Sequence, residues 1–513
     1  MSQPKPGTGP KPHYLALSVY GAIFALGVVV FGFGHTLAYM AWGLMFVFFF
    51  FFVRHFSFAI AAAKWVEADL RAPDVGLEEF TPAVQVVVAC KNEELVVDSL
   101  ARALLSLDYP SDRLSVLVVD DASTDATGAM LDRWSALDPR LAVLHRPPGA
   151  GGGKSGALND ALAMVTAPVL VIFDADHEPQ RNAISRLVRH FRDPEVECVM
   201  GRCIIRNGAE DAFASVVFID FLSGYLVNEY GRQALFELPA YGGANCAVRR
   251  STLERLGGWN PETVTEDTDL TIRVVLSGGR VRYDPTAVDF EEAVVSAKRF
   301  WRQRYRWSRG HQQCARDYVI PAIRCPHLSL PEKVEFLMFL AIYHIPVLSA
   351  LGVILTVLRA FGIGEVPAEI LLPLTLLMFL GPLSELTVAL LLGKVERRAA
   401  WTILGFLPSY ALSILTTTRA YFDGMFGQPY TWVKTQRSGA VAQTVGVPES
   451  VTEKVLEPGG LPVLAREAVP ASPILTTGLV MRSGGRGAAV VGTRTFADRR
   501  PSSPPGGDPF PQA

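Results

Sequence analysis

An apolar run at 169–173 closes on two carboxylates one residue apart, Asp174 and Asp176. Side chains two apart on an extended strand share a side, so both reach one point beyond the strand end. Two carboxylates held together repel each other unless a cation lies between them. Their oxygens suit a hard divalent ion, Mg2+ or Mn2+, which commonly completes its coordination with phosphate oxygens. The pattern points to a metal-bridged diphosphate site, against the plainer alternative of two solvated turn residues. Further acids close other apolar runs, in Cys90-Lys91-Asn92-Glu93-Glu94 and in Asp120-Asp121-Ala-Ser-Thr-Asp125. The second suits a helix cap, but a cap needs only one oxygen. Asp120 lies on the strand itself and is a ligand candidate. Downstream, Thr263-Val-Thr-Glu-Asp-Thr-Asp-Leu-Thr271 crowds Glu266, Asp267 and Asp269 into one first turn, with Thr265 as its predicted cap. The helix dipole favours acids there. The same carboxylates can supply a general base to a hydroxyl within hydrogen-bond reach.

These groups need elements that bring them together. From about 65 to 330, strand-like runs alternate with helix-like ones: 84–89 then 98–107, 115–119 then 125–136, 141–145 then 157–165, then 169–174. This order predicts an α/β domain with a mostly parallel sheet and helices on both faces. Ligands of such sheets sit off the carboxyl ends of the strands, where the acids fall. The third strand leads into Pro148-Gly-Ala-Gly-Gly-Gly-Lys-Ser-Gly156, which nearly matches a phosphate-binding P-loop. A membrane ATPase is therefore an alternative. Pro148 stands where that loop needs its first glycine, and proline lacks the N–H. A flexible glycine loop presenting Lys154 to a diphosphate fits better, an ordinary surface lysine being the plain alternative. The stretch from Lys298 to Arg309 mixes six cations with four aromatics. It suits a helix lying in a bilayer interface, or a site edge where Arg pairs with diphosphate and Trp stacks on a sugar.

The bounds agree. Of 513 residues, 50% are hydrophobic and formal net charge is -2, so nothing argues for a nucleic-acid partner. Six cysteines, none in a CxxC pair, indicate neither a zinc site nor a disulfide framework. Residues 1–12 are Pro-rich and read as disordered. Apolar runs at 14–33 and 36–53 predict two membrane helices within 13–60, with Lys5, Lys11, Arg54 and Lys64 keeping both ends cytosolic. Runs at 334–358 and 367–392 predict two more within 331–420. A last run at 399–417 is interrupted by Pro408 and has basic residues on both flanks, so a crossing and a re-entrant path both stay open. Residues 438–513 read as a disordered tail.

With these motifs in order, the chain resembles the family 2 membrane glycosyltransferases, the group of bacterial cellulose, poly-N-acetylglucosamine and hyaluronan synthases. The resemblance rests on Asp120, Asp174-Ala-Asp176, Thr265-Glu-Asp267 and Gln303-x-x-Arg306-Trp307, and covers about 80–437. It implies a GT-A catalytic domain at 61–296 on the cytosolic face of the inner membrane, an interfacial helix region at 297–330, and a UDP-sugar donor. By position, Asp120 contacts the nucleotide base, Asp174 the UDP, and Asp176 the metal together with Asp174. Asp267 is the base, with Glu266 beside it. Gln303, Arg306 and Trp307 bind the diphosphate and frame the acceptor, and Asn92, Glu93 and Lys154 line the nucleotide pocket. Tyr430-Thr-Trp-Val-Lys-Thr-Gln-Arg437, within 421–437, resembles the gating segment of processive members. The implied reaction is inverting, metal-dependent β-glycosyl transfer to a growing polysaccharide, with single-sugar transfer to a lipid as the alternative. No regulatory domain of the cellulose synthase kind follows in this sequence.

Overall fold

A computed structural model of the protein describes residues 14–72, 77–208, 212–240, 242–395 and 401–429. The expected disordered N-terminus and tail, and the gating resemblance at 430–437, lie outside the described residues. The chain enters through α1 (Tyr14–Phe31) and α2 (Phe33–Leu70), separated at Gly32, whose φ of 80° no α-helix accommodates. At 38 residues α2 is about 57 Å long, nearly twice a hydrocarbon core of about 30 Å. Its far half continues past the boundary drawn at residue 60 and buries Phe58, Ala62 and Val66 in the catalytic domain's core.

Val- and Ile-rich runs fit a pleated, buried surface and form β1 (Val84–Cys90), β2 (Leu114–Asp120), β3 (Leu141–His145) and β4 (Val169–Asp174). The intervening helices are α3 (Val97–Leu105), α4 (Thr127–Leu137) and α5 (Gly153–Leu162). All four strands pair in parallel, and the register sets Ala89 opposite Asp174 and Cys90 opposite Asp120. The acidic strand ends thus share one edge. There follow β5 (Glu178–Pro179), α6 (Ala183–Val188), β6 (Val196–Ile205) and α7 (Ala212–Ser223), then a π-helical turn over Gly224–Glu229. The domain closes with α8 (Tyr230–Phe236), β7 (Cys246–Arg249), α9 (Arg250–Leu256), α10 (Glu266–Leu276) and β8 (Arg280–Glu291). Strand order is β3-β2-β1-β4-β7-β6-β8-β5. Because β7 runs antiparallel to both β4 and β6, and β5 to β8, the second half of the sheet is mixed rather than parallel.

Then come α11 (Ala297–Arg324), α12 (Leu330–Ala341), α13 (Ile345–Ala360), α14 (Ala368–Leu392) and α15 (Phe406–Met425). Among the described residues three stretches are long and apolar enough to cross a membrane: Phe33–Leu70, Leu330–Ala360 and Ala368–Leu392. The second is broken by a 3-10 turn at Ile342–His344. Pro408 does not interrupt α15. It stands in the first turn, where an N–H has no helical partner to lose. α15 lies along α11, through Ser308 Oγ to Thr417 Oγ1 (3.0 Å) and Tyr305 OH to Asp423 (2.8 Å). One buried ionic junction ties the parts together. Arg54 on α2 donates twice to Glu335 on α12, at 2.9 and 2.8 Å, and Arg232 on α8 donates to the same carboxylate at 3.2 Å.

Candidate active site

The carboxyl ends of β1, β2 and β4 open into a cleft of about 1040 Å3, at the upper end of small-ligand sites. Its outer side is a zipper between two strand-end loops. Asn92, in a left-handed conformation at φ 54°, accepts from the Thr124 backbone at 2.7 Å, while its own N–H donates to Ser123 Oγ at 2.9 Å. The Glu93 backbone N–H donates to Thr127 Oγ1 at 2.7 Å. Asp121 lines the cleft, paired with Lys91 at 3.2 Å and with buried Arg146. Asp120 does not line it. Its carboxylate is buried, taking the Ser123 N–H at 3.0 Å and contacting His145 Nδ1 at 2.9 Å. Burial pushes Asp120 up in pKa, and these contacts more than reverse it.

Deeper in, Lys154 stands amid acids. It sits on the first turn of α5, behind a left-handed Gly152, so it is fixed by a helix rather than carried on a flexible loop. Its Nζ lies 2.5 Å from Asp174 Oδ1 and 3.5 Å from Glu266, and donates to the Gly243 carbonyl at 2.8 Å. Burial raises Asp174, but Lys154 together with His177 and Arg306 more than reverses it and holds the carboxylate below its usual value. Asp267 goes the other way. Burial, then Glu266 beside it, pushes its pKa up to about 6 against the pull of Lys154 and Arg306. Its Oδ1 takes the Thr268 N–H at 2.7 Å. Its Oδ2 faces Gly243, where a Cβ would stand 3.1 Å away. Glycine there lets the wall approach the oxygen that stays available. Asp269, the third acid of that turn, is outside the site: it is buried and bound by Arg273 at 2.6 Å and Tyr318 at 2.7 Å. Thr265 holds the cap position without a capping bond, its hydroxyl turned to Cys314 Sγ at 3.9 Å.

Asp174, Asp176 and His177 place one ligand atom each within 4.8 Å of one another. Lys154 already puts a cation against Asp174. Both observations fit a divalent ion held by the Asp pair, as the oxygen-rich donor set prefers.

The far wall comes from α7, the π-helical turn, α11 and the break between α12 and α13. Gln303 is buried, and its Oε1 accepts no hydrogen bond among the described residues. Buried acceptors are rarely left so, and a substrate hydroxyl would satisfy this one. Trp307 meets Phe221 at 6.4 Å, with the Arg304 guanidinium 4.6 Å from its ring. Past them His311 stacks on Tyr343 at 4.3 Å and reaches Thr268 Oγ1 at 3.3 Å. Burial, helped by Arg232, lowers its pKa to about 3, so this ring is neutral. Phe339, Ile342 and Tyr343, from a stretch able to cross a membrane, also line the cleft. Gly310 lets α11 press on the turn before α10, since a Cβ there would meet Thr265 at 2.4 Å.

The family model for "Glycosyl transferase family 2" matches residues 85–257. "Probable glycosyltransferase YdaM" of Bacillus subtilis is 31% identical over 370 residues, covering 69% of this chain and 87% of that protein. The chain belongs to glycosyl transferase family 2. A "Beta-monoglucosyldiacylglycerol synthase" of Synechocystis sp. is 38% identical to this glycosyltransferase over 240 residues, 46% of this chain and 49% of that one, so the match spans about half of that relative. "Glucomannan 4-beta-mannosyltransferase 7" of Arabidopsis thaliana is 26% identical over 384 residues, covering 72% of this chain and 67% of that protein.

Of the residues expected in the site of this glycosyltransferase, Asn92, Glu93, Lys154, Asp174, Asp176, Glu266, Asp267, Gln303, Arg306 and Trp307 all line the one cleft. The exception is Asp120, whose place on the cleft wall Asp121 takes. Strand alternation explains the swap: the last strand residue turns into the fold, and the next one escapes it. The sequence reading also missed Arg146, His177, His311 and Tyr343. His177 had a signal, because it directly follows Asp176. His311 had one too, one helical turn beyond Trp307. Arg146 and Tyr343 join only through folding.

Proposed function

We propose that this glycosyltransferase moves a sugar from a UDP-sugar to a hydroxyl acceptor held at the bilayer surface, with inversion at the anomeric carbon. The reading is carried by the Asp267 carboxylate, which has one oxygen facing the cleft and a pKa of about 6. That value lies near the operating pH, where a general base works best. Asp267 takes the proton from the acceptor hydroxyl as its oxygen attacks, and Thr268 keeps the carboxylate aimed. Lys154 and Arg306 face the departing diphosphate and stabilise its growing charge. Asp174 and Asp176 would hold Mg2+ or Mn2+, whose chemistry there is to neutralise the diphosphate oxygens. One displacement turns an α-linked donor into a β-glycoside.

The acceptor reading follows from the wall. Phe339, Ile342 and Tyr343 bring a membrane-level helix break to the base, which favours a lipid hydroxyl offered from the bilayer. The likeness to a glucosyldiacylglycerol synthase supports the same class. Extension of a polysaccharide is the second reading, favoured by Gln303-x-x-Arg306-Trp307 and by the glucomannan mannosyltransferase likeness. In either case the cleft faces the cytosol of the inner membrane, where Arg54 and Lys64 keep that end of α2. The test is transfer from a panel of labelled UDP-sugars by protein in lipid nanodiscs with Mg2+ or Mn2+. Products are separated by size and by extraction into organic solvent. A single-sugar lipid supports the first reading and a long water-soluble product the second. No transfer from any donor sinks both.

A further inference from the structure

Behind the Asp pair lies a second group of metal-ligating side chains that the proposed reaction does not use. His177, Cys203 and Glu291 each place a ligand atom within 4.8 Å of the others. No sequence spacing announces this trio, because sheet register assembles it. β6 sets Cys203 opposite Asp289 and Ile205 opposite Glu291, and β5 sets Glu178, next to His177, opposite Phe290. Asp289 and Glu291, two apart, share a side of β8. All four residues are little exposed, at 6% for His177, 5% for Cys203, 0% for Asp289 and 8% for Glu291, and His177 and Glu291 reach the cleft wall.

Three features of the group favour a metal. The ring nitrogens have divided tasks: Nδ1 meets Asp289 Oδ2, and Nε2 lies 3.0 Å from Glu291 Oε2. A carboxylate on one nitrogen and a ligand position on the other is how metal-binding histidines are usually oriented. Two carboxylates also face this one ring, Asp289 on Nδ1 and Glu291 on Nε2. The spacing fits as well, since tetrahedral zinc with bonds of about 2.0 Å to nitrogen and oxygen keeps those atoms roughly 3.3 Å apart. Thiolate with imidazole prefers zinc over Mg2+ or Mn2+. We propose that His177 Nε2, Cys203 Sγ and Glu291 form a buried zinc site, with Asp289 as the orienting carboxylate, separate from the hard-cation position at Asp174 and Asp176. Binding would release the Cys203 thiol proton and the proton on Nε2. The ion would fasten the turn carrying Asp176 to β6 and β8.

The test uses the full chain purified in detergent, stripped with EDTA and given cobalt(II) chloride as the probe. The expected result is a thiolate-to-cobalt charge-transfer band on the folded protein. Cys203→Ser abolishes the band, and Asp289→Asn keeps it but weakens cobalt retention about ten-fold or more. Cys198→Ser, a buried thiol outside the group, changes neither. Should Cys203→Ser fail to fold, X-ray absorption on the wild-type cobalt protein decides alone, a sulfur neighbour supporting the site and its absence overturning it. Folded wild-type protein that gives no band, or Cys203→Ser protein that keeps it, overturns the proposal.

Discussion

At the junction of α2, α8 and α12 one carboxylate, Glu335, is bracketed by two guanidiniums. In the cleft one ammonium, Lys154, faces three carboxylates, Asp174, Glu266 and Asp267. The residue types are alike and the outcomes differ. Junction side chains are nearly sealed, with Arg54 at 5% and Arg232 at 1% exposed, and both cations lie over rings, of Phe58 at 4.4 Å and Phe339 at 4.0 Å. The Glu229 carboxylate, 3.4 Å from Arg232, completes the balance. The cleft is left unbalanced, with acids in excess, one of them held near neutrality in pKa and one buried acceptor on Gln303 unused. Matched charge holds elements in place, whereas unmatched charge prepares a site for a ligand that brings the missing cations and donors.

Asp267→Asn should separate the two regions most sharply. It should cut turnover by about 10^2- to 10^4-fold while the unfolding midpoint holds or rises, because a carboxylate beside Glu266 is gone. Equal losses of stability and activity would erase the distinction. Glu335→Ala is the converse. It strands two buried guanidiniums and should destabilise by about 3–5 kcal/mol, read by denaturant unfolding in detergent, while activity per folded molecule is kept. Gly310→Ala probes the contact between the regions. The new Cβ must push α11 from Thr265, and a displacement near 1 Å should lower turnover by about 10^2-fold with donor KM little changed. The smallest effect is in pH. The base works only as carboxylate, so activity should fall about ten-fold per unit below a midpoint near 6. Lys154→Gln should move that midpoint upward, since the ammonium holds Asp267 down. A downward move would show that Lys154 does not act on Asp267.

The strand-end part of the cleft lining was legible because its residues end strands. Asp174, Asp176, Asn92 and Glu93 each follow an apolar run, and parallel register brings strand ends together without further information. At the end of β2 alternation decides which carboxylate faces the cleft, and it is Asp121 rather than Asp120. Legibility fell where distant segments pack. β7 turns antiparallel because the chain returns from α8 on the other side of β4, and no local pattern in 246–249 states it. The helix break at Ile342–His344 lies inside an unbroken apolar run, so hydropathy saw one span. Arg54 read only as a charge flanking a span, and nothing in the sequence paired it with Glu335, which folding puts 2.8 Å away.

That last pair has a consequence for how the protein is made. Its members are 281 residues apart in the chain. At about 5–20 residues per second, synthesis of Glu335 trails that of Arg54 by roughly 15–55 s. Throughout that interval the guanidinium lacks the carboxylate that takes both of its hydrogen bonds. Arg54 therefore waits for its partner until α12 is made, and only then clamps α2 to the finished domain. Until α12 arrives, the nascent chain also lacks the cleft wall that carries Phe339 and Tyr343.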